Sequence, residues 1–115
     1  MPDIKNLTKK VIAFRDARNW RQFHNPKDVA ISLALEAAEL LEHFQWKNPQ
    51  EIARHVKARK ADISDELADV LYWVLLLGHD LEIDLGAAVA RKLKKNAKKY
   101  PVKKARDRHT KYDRL

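Results

Sequence analysis

Two pairs of acidic residues inside otherwise apolar segments constrain the fold of this chain more than any other feature of its sequence. The segment "LEAAELLEHFQW" places Glu36 and Glu39 three residues apart, and "DELADVLYWVLLL" does the same with Glu66 and Asp69. Both segments repeat apolar residues with the period of an α-helix. Burying an unpaired carboxylate costs several kcal/mol. A fold that buries these segments must therefore supply a partner for the acids.

Apolar residues with helical spacing recur in four segments, which predict four main helices and an all-α fold. Two glycines and the absence of an alternating β-branched run give little support for strands. A short connecting helix is predicted to begin at Pro49 with Asn48 as its N-cap, and Asp28 and Asp84 are predicted to cap the helices that follow them. The four main segments run from Ile4 into Trp20, from Val29 to Trp46, from about Asp62 to Leu81, and from Leu85 to about Lys99.

The predicted helices place the acids on polar lines between apolar faces. Glu36 and Glu39 lie between two apolar stripes of one helix, and Glu66 shares a helix face with Asp69. A single acidic pair is usually a solvated helix face, but two pairs on two apolar helices, with 26 residues between Glu39 and Glu66, are harder to explain in that way. A divalent cation would compensate the four acids, and carboxylate oxygens favour Mg²⁺ or Mn²⁺. A di-iron bundle is disfavoured because the sequence has no Glu-x-x-His motif.

Positive charge is concentrated at the C-terminal end of the chain. Arg91 to Leu115 contain twelve Lys or Arg and two Asp, a net charge of +10, whereas the whole chain carries +8. A basic end of this kind leaves open a helical nucleic-acid-binding module, and a regulatory interaction module without turnover is a further alternative. The first is disfavoured because the second and third main helices are too apolar to serve as exposed recognition helices. The second is disfavoured because all four acids are present.

The length of 115 residues predicts one domain, residues 1–115, with the basic tail at about 100–115. The core of such a domain is modest, so we expect part of its apolar surface to be covered by self-association. The absence of cysteine excludes disulfides and thiolate sites and fits a reducing cytoplasm. The longest run without charge, Val70 to His79, is too short to span a bilayer, and no signal-peptide pattern is present. We expect a cytoplasmic protein with no membrane partner.

The order of several motifs resembles the all-α nucleoside triphosphate pyrophosphohydrolases of the MazG-like family, and most closely their dCTP pyrophosphatase branch. The resemblance covers nearly the whole chain, and its segments are "RNWRQFHNP" (18–26), "EAAELLEHFQW" (36–46), "DELADVLYW" (65–73) and "KKNAKKYPV" (94–102). The sequence departs from the family at "KARKA" (57–61), where members often carry a longer insertion. The shorter segment would change the rim of the substrate site, and with it the fine selection of the substrate.

The resemblance implies a four-helix bundle that assembles as a dimer or a dimer of dimers. It also implies hydrolysis of a nucleoside triphosphate to the monophosphate and pyrophosphate, with dCTP or a modified dCTP as the substrate expected for this branch. Its role would be to remove unwanted deoxynucleotides. Glu36, Glu39, Glu66 and Asp69 would hold Mg²⁺, for which Mn²⁺ could substitute. Glu39, together with Glu36, would be catalytic by orienting or deprotonating the attacking water.

Substrate contacts are predicted on aromatic and basic residues outside the four acids. Each has a structural alternative, since aromatic residues at helical spacing are more often core and lysines on a helix are more often solvated. The other histidines, His43, His55, His79 and His109, are expected to have no role. The predicted substrate-binding residues are Trp20, His24, Trp46 and Trp73 for the base or ribose, and Lys92, Asn96, Lys99 and Tyr100 for the phosphates and sugar.

Overall fold

The computed structural model describes residues 2–115, and most of that range is helical. No strand occurs within it, which confirms the predicted all-α fold. Short 3-10 turns lie at Arg21–Phe23 and Tyr112–Arg114. The helices are α1 (Ile4–Ala17), α2 (Pro26–Glu42), α3 (Pro49–Ala58), α4 (Lys60–Asp80), α5 (Leu85–Lys99) and α6 (Val102–Ala105).

Local side-chain chemistry decides where the helices begin. Asn48 caps α3 through a reciprocal capping box and Asp84 caps α5, as the sequence predicts. Asp28 does not cap α2: the N-cap is Asn25, whose side-chain oxygen accepts a hydrogen bond from the Asp28 N–H at 2.9 Å. The reason is Pro26, which has no N–H to satisfy and whose fixed φ suits the first helical position. Helix α2 therefore begins earlier than predicted, and Asp28 lies in its first turn.

Two of the helices end before the tryptophans that were predicted to extend them. Helix α1 ends at Ala17, and Trp20 follows Asn19, which has a left-handed φ of 52°. Helix α2 ends at Glu42, so Trp46 lies in a turn with a left-handed φ of 65°. The prediction that the second main helix extends to Trp46 is therefore wrong at its C-terminal end. Left-handed backbone of this kind commonly ends a helix, and here it turns the chain toward the Asn48 cap of α3.

The chain divides into two compact units, one up to Glu82 and one from Ile83 to Leu115. The prediction that residues 1–115 form one domain stays a prediction. In the first unit α4 is central and packs against α1, α2 and α3. Its buried apolar residues come from α2 and α4, namely Val29, Ile63, Leu75 and Leu76.

The second unit contains α5, α6 and the final turn. The Tyr100 and Tyr112 rings meet edge to face with their centroids 6.0 Å apart, and the Lys99 ammonium lies 4.6 Å from the centre of the Tyr112 ring. These contacts fold the end of the chain back onto the end of α5. Within residues 2–115 no helix has the length and apolar character needed to cross a membrane.

Candidate metal and nucleotide site

Three of the four predicted acids converge where α2 packs against α4. Glu36 and Glu39 of α2 and Glu66 of α4 each offer a carboxylate oxygen, and these three oxygens lie within 4.8 Å of one another. Glu36 and Glu66 are half-buried, whereas Glu39 is exposed. We call these three residues the carboxylate cluster. It forms because the three-residue spacing puts each acidic pair on the face that its helix turns toward the other helix.

The carboxylate cluster is strained electrostatically. Burial, followed by a hydrogen bond and charge repulsion from Glu39, raises the pKa of Glu36 to about 7. Burial also raises the pKa of Glu66, with Glu39 the next contributor. The Oε2 atoms of Glu36 and Glu66 are buried and have no hydrogen-bond partner among residues 2–115. Buried carboxylate oxygens without donors are what a hard divalent cation would satisfy, so the donor set fits such an ion.

The fourth acid, Asp69, lies beside Glu36 in the wall of a cavity of about 480 Å³. Its negative charge contributes to the raised pKa of Glu36. We call this space the aromatic cavity because rings form much of its lining. The remaining lining residues are Leu7, Lys10, Val11, Phe14, Trp20, Tyr72 and Trp73.

Edge-to-face ring contacts hold the aromatic cavity together. Phe14 of α1 contacts both Trp20 and Tyr72, with ring centroids 5.8 Å and 6.2 Å apart. Trp73 contacts Tyr72 at 5.0 Å and His24 at 5.4 Å. Such pairs favour a fixed ring geometry beyond simple area burial. The cavity is thus lined by rings from α1, α4 and the segment between α1 and α2.

His24 is neutral and has an unused ring nitrogen. Burial, followed by the positive charge of Arg15, holds the pKa of His24 below its ordinary value. Its Nδ1 atom is buried and has no hydrogen-bond partner in the described part of the chain. A neutral imidazole can donate or accept one hydrogen bond at such an atom. His24 does not line the aromatic cavity itself but contacts Trp73, which does.

A buried ion pair between Arg15 and Asp80, which the sequence analysis missed, stabilises the helices next to the aromatic cavity. Arg15 is only 1% exposed, and its Nη1 donates to both carboxylate oxygens of Asp80 at 2.9 and 2.8 Å. The Arg15 carbonyl also accepts a hydrogen bond from the Trp20 N–H at 3.2 Å. The pair ties α1 to the end of α4 and fixes the start of the Trp20 segment. The available signal was the position of Arg15, one helical turn after Val11 on the apolar face of α1.

A second cavity of about 430 Å³ adjoins the other members of the carboxylate cluster. We call it the polar cavity because charged and imidazole groups line it. Its lining residues are Glu39, Glu42, His43, His55, Arg59 and Glu66.

The two histidines in the polar cavity pair with each other, although the sequence analysis assigned them no role. His43 Nδ1 and His55 Nε2 are 2.9 Å apart, a hydrogen-bond distance. Burial, followed by the charge of Lys47, holds the pKa of His55 below its ordinary value. The pair joins the turn after α2 to α3. The two positions are twelve apart in the sequence, and no helical or strand spacing connects them, so no local pattern could have found the pair.

The other predicted substrate residues lie outside these two cavities. Trp46 is 90% exposed in its turn. Lys92, Asn96 and Lys99 are on α5, where Asn96 is half-buried and the two lysines are exposed, and Tyr100 is the C-cap of that helix. Helix α5 belongs to the second unit, and the roles of its residues stay predictions.

Comparisons with known proteins agree on one family. The model of the MazG-like family matches residues 31–115, a range that contains all four acids. The chain is 33% identical to dCTP pyrophosphatase 1 of Homo sapiens and to that of Rattus norvegicus, in each case over 116 residues that cover 99% of this chain and 68% of the relative. A crystal structure of a pyrophosphatase from Archaeoglobus fulgidus superposes with a TM-score of 0.82 at 40% identity, covering 88% of this chain and 94% of the other. The chain belongs to the MazG-like family, which confirms the resemblance.

Proposed function

We propose that this MazG-like protein is a nucleoside triphosphate pyrophosphohydrolase with dCTP or a modified dCTP as its preferred substrate. It cleaves between the α- and β-phosphates and releases the monophosphate and pyrophosphate. The observation that carries the proposal is the carboxylate cluster, with two buried and unpaired oxygens, beside the aromatic cavity. The names of the dCTP pyrophosphatase relatives and of the pyrophosphatase structure support the same chemistry.

The metal partner in this proposal is Mg²⁺, with Mn²⁺ as a substitute. Glu36, Glu39, Glu66 and Asp69 would hold it through hard oxygen donors, which suit both ions. Bound there, the ion would polarise phosphate oxygens and neutralise part of the charge of the triphosphate. The chain itself supplies the geometry, because α2 and α4 fix the carboxylates before any ligand arrives.

In the reaction, a water oxygen forms a bond to the α-phosphorus, and the bond from that phosphorus to the bridging oxygen breaks. The bridging oxygen leaves with the pyrophosphate, and one proton of the water is transferred to a carboxylate. We assign this proton transfer to Glu39, which is the exposed member of the cluster, acting with Glu36.

The base of the nucleotide would occupy the aromatic cavity. Trp20 and Trp73 offer ring faces and edges there. Every base can stack on an aromatic ring, so stacking contributes affinity but discriminates little between bases. Choice among bases would come from hydrogen bonds such as that available at His24 Nδ1. Trp46 would close over the base from its exposed turn. Contacts to the phosphates and sugar are assigned to Lys92, Asn96, Lys99 and Tyr100.

Self-association is the remaining part of the proposal. Large apolar side chains lie exposed on the single chain, including Leu35 at 61% and Leu67 at 52% in the first unit and Leu93 at 63% in the second. Contiguous exposed apolar surface is typical of an interface. A homodimer or homotetramer would cover it. A cytoplasmic location and a role in clearing the nucleotide pool complete the proposal.

The test is to incubate the protein with each ribo- and deoxyribonucleoside triphosphate and Mg²⁺ and to identify the products by ³¹P NMR. Monophosphate and pyrophosphate in equal amounts are expected, fastest with dCTP or a modified dCTP. Diphosphate and phosphate as products would contradict the proposal. Tight duplex binding without hydrolysis would instead favour the basic nucleic-acid-binding module.

A further inference from the structure

The carboxylates that are proposed to bind metal face two cavities of opposite character. Glu36 and Asp69 border the aromatic cavity, whereas Glu39 and Glu66 border the polar cavity. A nucleoside triphosphate has the same division, with an aromatic base at one end and a chain of phosphates at the other. A substrate centred on the acids would therefore extend its two ends into two different spaces.

We propose that the polar cavity is the subsite for the β- and γ-phosphates and hence for the leaving pyrophosphate, and that Arg59, His43 and His55 are its donors. The inference rests on the proposed function, since it concerns the product of that reaction. The cavity of about 430 Å³ is large enough for two phosphate groups, and its three nitrogen-bearing side chains share one lining with Glu39 and Glu66.

Arg59 forms an exposed ion pair that uses only part of its guanidinium. It lies at the junction of α3 and α4, and its Nε donates to Asp62 Oδ2 at 2.6 Å. Neither terminal nitrogen of Arg59 takes part in a hydrogen bond within residues 2–115. A guanidinium anchored at Nε and open at its terminal nitrogens presents a planar pair of donors, the geometry that phosphate oxygens accept bidentately. Asp62 thus orients Arg59 toward an anion.

The histidine pair supplies a directed donor beside Arg59. The 2.9 Å contact between His43 Nδ1 and His55 Nε2 uses one proton, which leaves one outer nitrogen with an N–H in the neutral pair. The contact also restrains both rings, so this donor is fixed by an interaction that the anion does not have to replace. Arg59 therefore provides the positive charge, and the histidine pair provides a hydrogen-bond donor that points in a fixed direction.

The acids in the same lining restrict which anions can enter. Glu39, Glu42 and Glu66 face the cavity together with the donors, so an unaccompanied anion meets negative charge. Pyrophosphate bound together with Mg²⁺ would not be repelled in this way, because the cation would lie between the two sets of acidic groups. We therefore expect the cavity to bind magnesium pyrophosphate and to reject inorganic phosphate and the monophosphate product.

The same donors act on the reaction itself. When the bond from the α-phosphorus to the bridging oxygen breaks, negative charge builds up on the oxygen that departs with pyrophosphate. Donors already aimed at the leaving group stabilise that charge as it develops. Loss of the two terminal donors of Arg59 is therefore expected to slow turnover as well as to weaken product binding.

The experiment measures inhibition of nucleotide hydrolysis by pyrophosphate at constant free Mg²⁺, with Arg59→Gln compared with the matched control Arg54→Gln. Arg54 is an exposed arginine of α3 that does not line the cavity. We expect Arg59→Gln to raise the inhibition constant about tenfold, the scale of one charge-assisted contact, and Arg54→Gln to leave it unchanged. Calorimetric titration with magnesium pyrophosphate should show the same loss without turnover. Unchanged inhibition in Arg59→Gln would overturn the proposal.

A second measurement uses the unaltered protein and does not depend on whether a variant folds. The imidazole ¹⁵N resonances of His43 and His55 should shift on addition of magnesium pyrophosphate, and dCMP or inorganic phosphate should leave them in place. Hydrolysis without this response would overturn the subsite and leave the proposed function intact. A wild-type protein that hydrolyses no triphosphate would remove the proposed function first.

Discussion

The aromatic cavity and the polar cavity lie on either side of one group of acids, each bordered by different members of it, and they are held together differently. The aromatic cavity is braced by the Arg15–Asp80 pair, whose arginine is 1% exposed and which joins positions 65 residues apart. Beside the polar cavity, Arg59 pairs with Asp62 three residues away, and the two side chains are 61% and 49% exposed. Long-range buried contacts belong to the cooperative fold, whereas local exposed ones contribute little to it. We therefore expect the aromatic cavity, which would hold the base, to be rigid, and the polar cavity, which would hold the phosphates, to be adjustable.

The largest expected effect comes from the four acids that are proposed to hold the metal between the two cavities. Glu36→Gln or Asp69→Asn should lower kcat about a hundredfold or more, the scale seen when a group that stabilises transition-state charge is removed. Mg²⁺ should raise the melting temperature of the wild type and not that of the variant. Turnover assays and thermal scans with and without Mg²⁺ check this. Normal turnover at saturating Mg²⁺ in either variant would show that the metal site is elsewhere.

The next prediction compares how much each of the two ion pairs contributes to the free energy of unfolding. Arg15→Met leaves Asp80 without its partner, and breaking a buried pair typically costs about 3–5 kcal/mol of unfolding free energy. Because Asp80 keeps 21% exposure, water can solvate it in part, and we expect the low end of that range. Arg59→Met removes an exposed pair and should cost about 1 kcal/mol or less. Urea unfolding followed by circular dichroism measures both.

Equal losses in the two variants would contradict the contrast between a rigid and an adjustable side. Asp80→Asn is a useful companion to Arg15→Met, since it keeps the shape and hydrogen-bonding capacity of the acceptor while removing its charge. It should be milder than Arg15→Met. Nucleotide KM should rise in Arg15→Met, because the contact with Asp80 no longer fixes the end of α1, where the Arg15 backbone carbonyl accepts the hydrogen bond from the Trp20 N–H.

Substitution of two tryptophans tests which rings contact the base and which also stabilise the fold. Trp73→Ala and Trp46→Ala should each raise KM about tenfold, on a stacking contribution of about 1–3 kcal/mol per ring. Only Trp73→Ala should also lower stability, because Trp73 packs against Tyr72 and His24, whereas Trp46 is 90% exposed. Steady-state kinetics and thermal melts separate the two effects. An unchanged KM in a folded Trp46→Ala protein would show that Trp46 does not contact the nucleotide.

Local patterns in the sequence were sufficient for the helices and for two of their caps. Asn48 and Asp84 cap α3 and α5 as predicted, because capping depends on residues within one turn. At α2 the cap prediction failed, because Pro26 takes the first helical position and Asn25 becomes the N-cap in place of Asp28. The end of α2 before Trp46 was missed because apolar spacing continues past the point at which the hydrogen bonds stop.

The site was predictable only to the extent that its residues lie on periodic helices. The sequence predicted one site for Glu36, Glu39, Glu66 and Asp69. The structure brings the first three together and places Asp69 with Glu36 in the lining of the aromatic cavity. The Arg15–Asp80 and His43–His55 contacts join residues that share no periodic pattern, so their pairing depends on how α1 and α3 pack on α4. Such contacts require the tertiary arrangement, and they are the ones that distinguish the two cavities.

The smallest predicted effect is a pH dependence of stability in the absence of metal. The folded pKa of Glu36, about 7, lies above its ordinary value of 4.5, and that of Glu66 is raised as well. Between these two pH values the folded protein binds more protons than the unfolded chain, so its stability falls as pH rises from about 4.5 to about 7. In EDTA we expect the melting temperature to drop by a few degrees over this window, and the drop to be smaller in Glu36→Gln. Mg²⁺ competes with protons for the same oxygens, so its stabilising effect should grow as pH rises through the window. If Glu36→Gln and the wild type show the same pH dependence in EDTA, Glu36 does not carry the raised pKa, and the carboxylate cluster is less strained than its geometry indicates.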